Sequence, residues 1–306
     1  MAQAADGFFN TKVDMDEVQV FVIPERNVRG RLARLGPVLD RILADHGYPP
    51  VIEALLAEAL VLTALLGSTL KNGEGQFTIQ AQAQGGPVDL MVCDYRNGEI
   101  RGYIRHDPEL LAQAGEPETL EELFGTGYFA ITFDQDVSGE RYQGIVPLEG
   151  RSLSDAAERY FAQSEQIPTL VRIATRREGD GAIASGLLLQ YLPHGEEGQE
   201  RLHVREELPE WEHAQALAAT LKDEELTDTS LSFQRILWRL FNEEERVTLA
   251  EPTRLRRGCR CDLAHIRSVI GRFGDEDRAE MVGDDGLIRV DCAFCAKSFG
   301  IDPGLS

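Results

Sequence analysis

Several features that would mark this chain as an enzyme are missing. Its six histidines are scattered, and no HExxH, GxSxG or GxxxxGK[ST] stretch occurs. That excludes the usual metalloprotease helix, nucleophile elbow and phosphate-cradling loop. Gly125-Thr126-Gly127 precedes an expected strand rather than a helix, which argues against dinucleotide binding. Positive charge is scarce: 31 Lys and Arg stand against 52 Asp and Glu, for a net charge of −21. Neither nucleic acid nor an anionic membrane is an expected partner for such a surface. Long apolar runs are also lacking. Val51 to Leu70 is the most apolar stretch, but Glu53 and Glu58 interrupt it, and the twelve residues between Glu58 and Lys71 are too few to span a bilayer. MAQAADGFFN has neither a basic nor an apolar signal region, so a cytoplasmic location is expected. Cysteine is sparse as well, with five in 306 residues. Four of the five lie in the last fifty.

These four form two pairs, Cys259-Arg260-Cys261 and Cys292-Ala293-Phe294-Cys295, with thirty residues between them. Two close pairs of soft thiolates make a tetrahedral S₄ set, the arrangement zinc favours for structural binding. A reducing compartment favours metal or redox roles for such clusters over permanent bridges. In a flat strand, Cα atoms at i and i+2 lie roughly 6.6 Å apart, near the upper limit for a disulfide, so closing the first pair needs a bent backbone. Arg254, Arg256, Arg257 and Arg260 crowd the first pair. Nearby cations favour thiolate over thiol; a solvated turn or a phosphate-binding patch is the plainer reading of the same arginines. His265 is a further ligand candidate, though four thiolates already fill the shell. Cys93, in an apolar run, reads as a core residue.

The pattern along the chain predicts an α+β fold of mostly antiparallel strands with packed helices. Strands are expected at 18–23, 76–84, 88–94, 99–104, 129–133, 141–146, 170–174 and 187–192, and helices after Gly36-Pro37, at 51–70 and at 153–164. The 51–70 helix is apolar nearly all round and must be buried. Lys71-Asn72-Gly73 should stop it. An N-terminal core domain is expected over residues 1–193.

From Gly195 to Ala250 the chain holds fourteen acidic and six basic residues, a net of −8. Phe233, Ile236, Leu237, Leu240 and Phe241 nevertheless follow a helical stripe, with Trp238 beside it, and Trp211, Ala214, Leu217, Ala218 and Leu221 repeat it. This segment, 194–252, reads either as two helices packed on the first domain or as a conditional linker that unfolds when its anchor fails. The remainder, 253–306, is a short helix over 263–273 and a strand at 287–290 around the cysteines. It buries too little surface to fold alone, so a metal should be its staple.

The chain resembles the redox-regulated holdase chaperones of the heat-shock protein 33 family over nearly its whole length. The resemblance rests on the four-cysteine pattern, "NVRGRL" from Asn27, "YPPVIEALLAEALVLTALLGSTLK", "GTGYFAIT", "RYQGIVPLEG" and "YFAQSEQIPT". It implies that Cys259, Cys261, Cys292 and Cys295 hold one Zn²⁺ when reduced, and that oxidation forms Cys259–Cys261 and Cys292–Cys295 disulfides. It also implies an ATP-independent chaperone rather than an enzyme, with unfolded or oxidatively damaged proteins as partners and a homodimer when oxidised. On this reading the C-terminal module docks on or caps the linker helices. Its release uncovers Phe233, Ile236, Leu237, Trp238, Leu240 and Phe241. Two positions depart from the family pattern: Asp262, where serine is usual, and "SFGID" after Cys295. The readings that compete with this one are a zinc-ribbon nucleic-acid binder, opposed by the net charge, and a CxxC thiol oxidoreductase, opposed by the lack of a thioredoxin-like βαβ context.

Overall fold

Two sheets hold one helix between them in the computed structural model, which describes residues 14–70, 75–134, 141–179, 181–192 and 208–304. The expected domain limit at 193, the Lys71-Asn72-Gly73 stop and the first residues of the linker lie outside these. β1 (Glu17–Ile23) turns through Pro24–Arg26 into β2 (Val28–Leu35), with Asn27 at the corner in a left-handed conformation, φ 53°. Helices α1 (Pro37–Leu43) and α2 (Pro50–Gly67) follow, each with proline in its first turn, where no N–H is needed. Next come β3 (Gln76–Gly85), β4 (Val88–Arg96), β5 (Glu99–His106), α3 (Pro108–Ala114) and α4 (Leu120–Phe124). β6 (Gly125–Asp134), β7 (Arg141–Pro147), α5 (Leu153–Tyr160), β8 (Thr169–Glu178) and β9 (Gly181–Tyr191) complete the two sheets' main strands.

The second part of the chain begins with α6 (Pro209–Ala219), α7 (Asp223–Thr227) and α8 (Phe233–Phe241). Three two-residue strands follow: β10 (Thr248–Leu249), β11 (Thr253–Arg254) and β12 (Arg256–Arg257). The chain ends with α9 (Leu263–Ile270), α10 (Asp275–Glu280) and a hairpin of β13 (Ile288–Asp291) and β14 (Ser298–Ile301).

The first sheet runs β10-β1-β2-β9-β8, with β11 also on β1, and the second runs β12-β5-β4-β3-β6-β7. Their pairings are antiparallel except β12 on β5. α2 lies between them. By length and composition it would pass for a membrane span, yet 72% of its apolar window is buried inside the protein. Its residues from Leu55 to Leu66 join Phe77, Ile79, Ala81 and Met91 of the second sheet and Ala33, Leu35, Ala184 and Leu188 of the first in one core. The expected alternation holds in β3, whose Phe77, Ile79, Ala81 and Ala83 face inward. Glu58 breaks the apolar surface of α2. Its Oε1 accepts the N–H groups of Leu153 and Ser154 at the start of α5, at 3.0 and 3.3 Å. Burial outweighs those bonds and pushes its carboxyl up to about 7.

A second core lies on the outer face of the first sheet. There Phe21, Ile23, Leu32, Leu187 and Leu189 pack against Trp211, Ala214, Phe233, Ile236, Leu237, Leu240 and Phe241. This double burial explains two differences from the sequence pattern. β2 was not expected, because VRGRLARL carries three arginines, yet Arg31 is 3% and Arg34 0% exposed. β9 starts earlier than expected, because it is buried on both faces from Ile183 to Gln190 and shows no alternation, and β8 runs on through exposed Thr175–Arg177 as its antiparallel partner.

Buried Arg34 is part of what holds the helices in place. Its Nε and Nη2 donate to the carbonyl of Leu226 at 3.2 and 2.9 Å, its Nη1 donates to that of Leu231 at 2.9 Å, and its guanidinium stands 5.2 Å from the Phe233 ring centre. Asp14 accepts the N–H of Phe233 at 2.6 Å, and Ser232 caps α8. Trp238 corrects the expectation. It is 57% exposed on the solvent side of α8, one position off the stripe, so no undocking is needed to uncover it.

Candidate metal centre

The segment leading to the first cysteine pair is a strap across both sheets. β10 and β11 pair with β1, while β12 pairs with β5. Between them Leu255 inserts into the main core at 5% exposure, its N–H donating to the carbonyl of Asp16 at 2.7 Å. Gly258 passes so close to β5 that a Cβ there would stand 2.6 Å from the Glu99 side chain. The strap therefore delivers Cys259 at a fixed place beside β5.

The second pair comes from the turn of the β13–β14 hairpin. Cys292 N–H donates to the carbonyl of Lys297 at 3.0 Å, and its own carbonyl accepts from Cys295 and Ala296 at 3.2 and 2.8 Å. Ala296 takes a φ of 51° to close that turn, a conformation that disfavours a side chain. The tail "SFGID" supplies β14, which buries Phe299 and Ile301 and so braces the strand that carries Cys292. Asp262 caps α9, accepting from the N–H groups of Ala264 and His265. Serine does the same work at a helix start, so this departure preserves the local structure.

All four thiols are free and half-buried, and their Sγ atoms lie within 4.8 Å of one another. Cys259 Sγ stands 3.6 Å from Cys292 Sγ, and Cys261 Sγ 3.7 Å from Cys295 Sγ. Four sulfurs about 2.3 Å from a central zinc at tetrahedral angles would be about 3.8 Å apart. The donor set fits such an ion. His265 is exposed on α9 and outside the cluster.

The electrostatics of the cluster are not those expected from the arginines. Burial works against charge on Cys259, but the N–H of Cys261 and the thiols of Cys295, Cys261 and Cys292 outweigh it, bringing the Cys259 thiol down to about 7. Burial, with the thiols of Cys259, Cys292 and Cys261, pushes Cys295 up to about 12, and burial with Cys259 beside it raises Cys261. The thiols titrate as one interacting set, in which a thiolate is stabilised by the backbone N–H and S–H groups around it. The arginines are spent on carboxylates instead: Arg256 on Glu99 at 3.2 Å, Arg257 on Asp45, and Arg260 on Asp94 at 3.2 Å. Cys93 is buried as expected, and burial raises its thiol far above the ordinary range.

The module meets the rest of the protein at β4, β5 and the loop after α1. This differs from the expected docking on the linker helices, which pack on the first sheet instead. Phe294 packs edge-on against Tyr103, with ring centres 4.9 Å apart, and under the Arg101 guanidinium at 3.9 Å. His46 faces the backbone of Phe294 and Gly102, and its burial there lowers its pKa. Arg101 reaches Asp94 at 2.6 Å, and Asp94 is the carboxylate that holds Arg260. None of the core-side residues here carried a sequence signal. The only hint was local: an aromatic and an arginine stand between metal-spaced cysteines.

Comparison with known proteins agrees with this architecture. The family model described as "Hsp33 protein" matches residues 16–302. The "33 kDa chaperonin" of Caulobacter vibrioides (strain NA1000 / CB15N) is 42% identical over 302 residues, covering 96% of this chain and 97% of that one. The "33 kDa chaperonin" of Yersinia pestis (strain Pestoides F) is 37% identical over 288 residues, covering 94% and 92%. Among solved structures, the crystal structure of the 33 kDa chaperonin (heat shock protein 33 homolog) from Thermotoga maritima matches with a TM-score of 0.75 at 20% identity, covering 94% of this chain and 95% of that one. At that identity it speaks for the fold alone. Family model, relatives and four-thiol cluster agree: this chain belongs to the Hsp33 family.

Proposed function

We propose that this chain is a redox-regulated, ATP-independent chaperone of the holdase kind, cytoplasmic and not an enzyme. The observation that carries the reading is the set of four free thiols within 4.8 Å, in a module too small to hold itself together. Its organisation follows residues 1–193 as core, 194–252 as conditional linker and 253–306 as switch. When bound, one Zn²⁺ would supply about 10–16 kcal/mol of apparent binding energy to fold the module. Cys259, Cys261, Cys292 and Cys295 would be its ligands.

Oxidation withdraws those ligands. In each of the pairs Cys259–Cys261 and Cys292–Cys295, two thiols give up two protons and two electrons and form one S–S bond. One peroxide molecule is reduced to two waters in exchange. Without its staple the module loosens, the strap loses its far anchor, and α8 is left on a marginal contact. The apolar stripe Phe233, Ile236, Leu237, Leu240 and Phe241 is then free to receive unfolded chains. Trp238, already outside, marks the rim of that surface. The excess of acidic residues keeps the opened protein soluble. It also gives neither nucleic acid nor an anionic membrane a foothold. The oxidised form is a homodimer on this reading, and reduction with metal return resets the switch.

The deciding experiment follows metal release, thiol loss and suppression of aggregation of a heat-denatured test protein together, without ATP. Holdase activity should rise as the thiols disappear. A protein inactive at every oxidation state would end the proposal. Salt-dependent binding to nucleic acid, or turnover of disulfide substrates, would redirect it to the competing readings.

A further inference from the structure

The residue between the first two cysteines and the residue before the last one reach the same small patch of the core. Arg260 reaches it through Asp94 of β4, which is 2% exposed and also accepts from Thr78 Oγ1 at 2.7 Å. Phe294 reaches it through Tyr103 and Arg101 of β5. Arg101 joins the two contacts, since its guanidinium covers the Phe294 ring and bonds Asp94 at 2.6 Å. Each cysteine pair therefore encloses a side chain seated in the same socket, Arg260 in the first and Phe294 in the second.

We propose that this socket of Arg101, Asp94 and Tyr103 reads the state of both cysteine pairs, with Arg260 and Phe294 as the positioning residues that report it. The inference deepens the reading above by naming the receiver of the redox signal as the second sheet of the core. The geometry gives the reason. A disulfide holds its two sulfurs about 2.0 Å apart, whereas these thiols are free and arranged around a four-sulfur cluster. Closing Cys259 to Cys261 must therefore shift the backbone at Arg260, the only residue between them. Closing Cys292 to Cys295 remodels the turn that aims Phe294. Either bond pulls a side chain from its seat, and loss of one weakens the other through Arg101. The seated module in turn keeps the four half-buried sulfurs against the core, so docking also limits their oxidation.

A cation over an aromatic ring in a largely desolvated contact stabilises docking on the order of tenfold or more. Arg101 is 16% exposed in its side chain, which places it near that regime. The test uses the full chain, reduced and metal-loaded, as wild type and as Arg101→Met, Tyr103→Ala, Phe294→Ala, Phe294→Tyr and the Arg101→Met/Phe294→Ala pair. Metal content, rate of thiol loss to a fixed peroxide concentration, and hydrogen exchange at 253–258 and 288–301 are measured on each. The core-side variants touch no ligand and should keep one equivalent of metal, while thiol loss and exchange accelerate about tenfold. The paired variant should match the faster single one rather than multiply the two, and Phe294→Tyr should restore the wild-type rate. Core-side variants that keep their metal and stay within twofold of wild type in both rates would overturn the socket. Neither readout depends on chaperone activity, so an oxidised wild type without holdase function would sink the proposed function and leave this test standing.

Discussion

Leu237→Asp should release α8 from the core without any oxidant. The helix buries five apolar side chains to between 0 and 4% exposure. At about 1.5–3 kcal/mol each, that is on the order of 10 kcal/mol of burial. Ordering nine helical residues costs about 1–2 kcal/mol apiece in backbone entropy, so the two nearly balance. The Arg34 bonds and the Asp14 cap add a few kcal/mol at one end of the helix. Removing the Leu237 side chain alone costs about 2–5 kcal/mol. A carboxylate in its place must be desolvated or carried out into water, which adds to the penalty. Hydrogen exchange on the reduced, metal-loaded variant should show residues 233–241 unprotected and α2 and β3 unchanged. Suppression of aggregation should appear before oxidation, and Leu237→Ala should give an intermediate result. If exchange at 233–241 matched the wild type, the estimate of marginal docking would be wrong. If the helix opened without any gain in holdase activity, α8 would not be the masked surface.

Two further perturbations separate the parts of the molecule. Glu58→Gln probes a buried acid whose folded value, about 7, stands above its ordinary 4.5. A raised acid stabilises the fold fully below its unfolded value, and that contribution is lost as pH rises through 7, up to about 3 kcal/mol in all. Denaturant titration should therefore show the variant gaining on the wild type between pH 5 and pH 8, and a pH-independent difference would refute the assignment. Cys292→Ser should lose most of the metal and unfold the module; calorimetry should still show the transition of the α2-centred core, whose disappearance would mean that core and module fold as one.

The parts of this fold that could be read in advance are those with one period and one wet face. β3 alternates because its outer face carries glutamines, and α2 is apolar all round because sheets cover both sides of it. β2 was hidden because Arg31 and Arg34 are polar by type and buried by position, and only three-dimensional partners such as the Leu226 and Leu231 carbonyls make that tolerable for Arg34. The cysteine cluster was legible because its spacing is chemistry rather than packing. Its electrostatics were not. The arginines beside the first pair find Glu99, Asp45 and Asp94, carboxylates more than 150 residues away in sequence, and sequence proximity to a thiol did not decide where their charge went. Trp238 shows the resolution of a helical stripe: one position, or about 100° around α8, separates 57% exposure from the 3% of Leu237.

The strap has one more consequence. Before it is laid down, β1 and β5 are outer strands, each with a row of unsatisfied backbone donors and acceptors. β10 and β11 cover part of the first row, and β12 covers part of the second. Unpaired rows of this kind are templates on which another extended chain can add itself as a strand. With only two residues in each pairing, this cover is held in large part by Leu255 in the core and by the ion pairs of Arg256 and Arg257, so it comes away only when those anchors do. Lifting one stretch of chain between Thr248 and Arg257 would open two templates, one on each sheet. They offer backbone pairing that is indifferent to the side chains of whatever chain arrives.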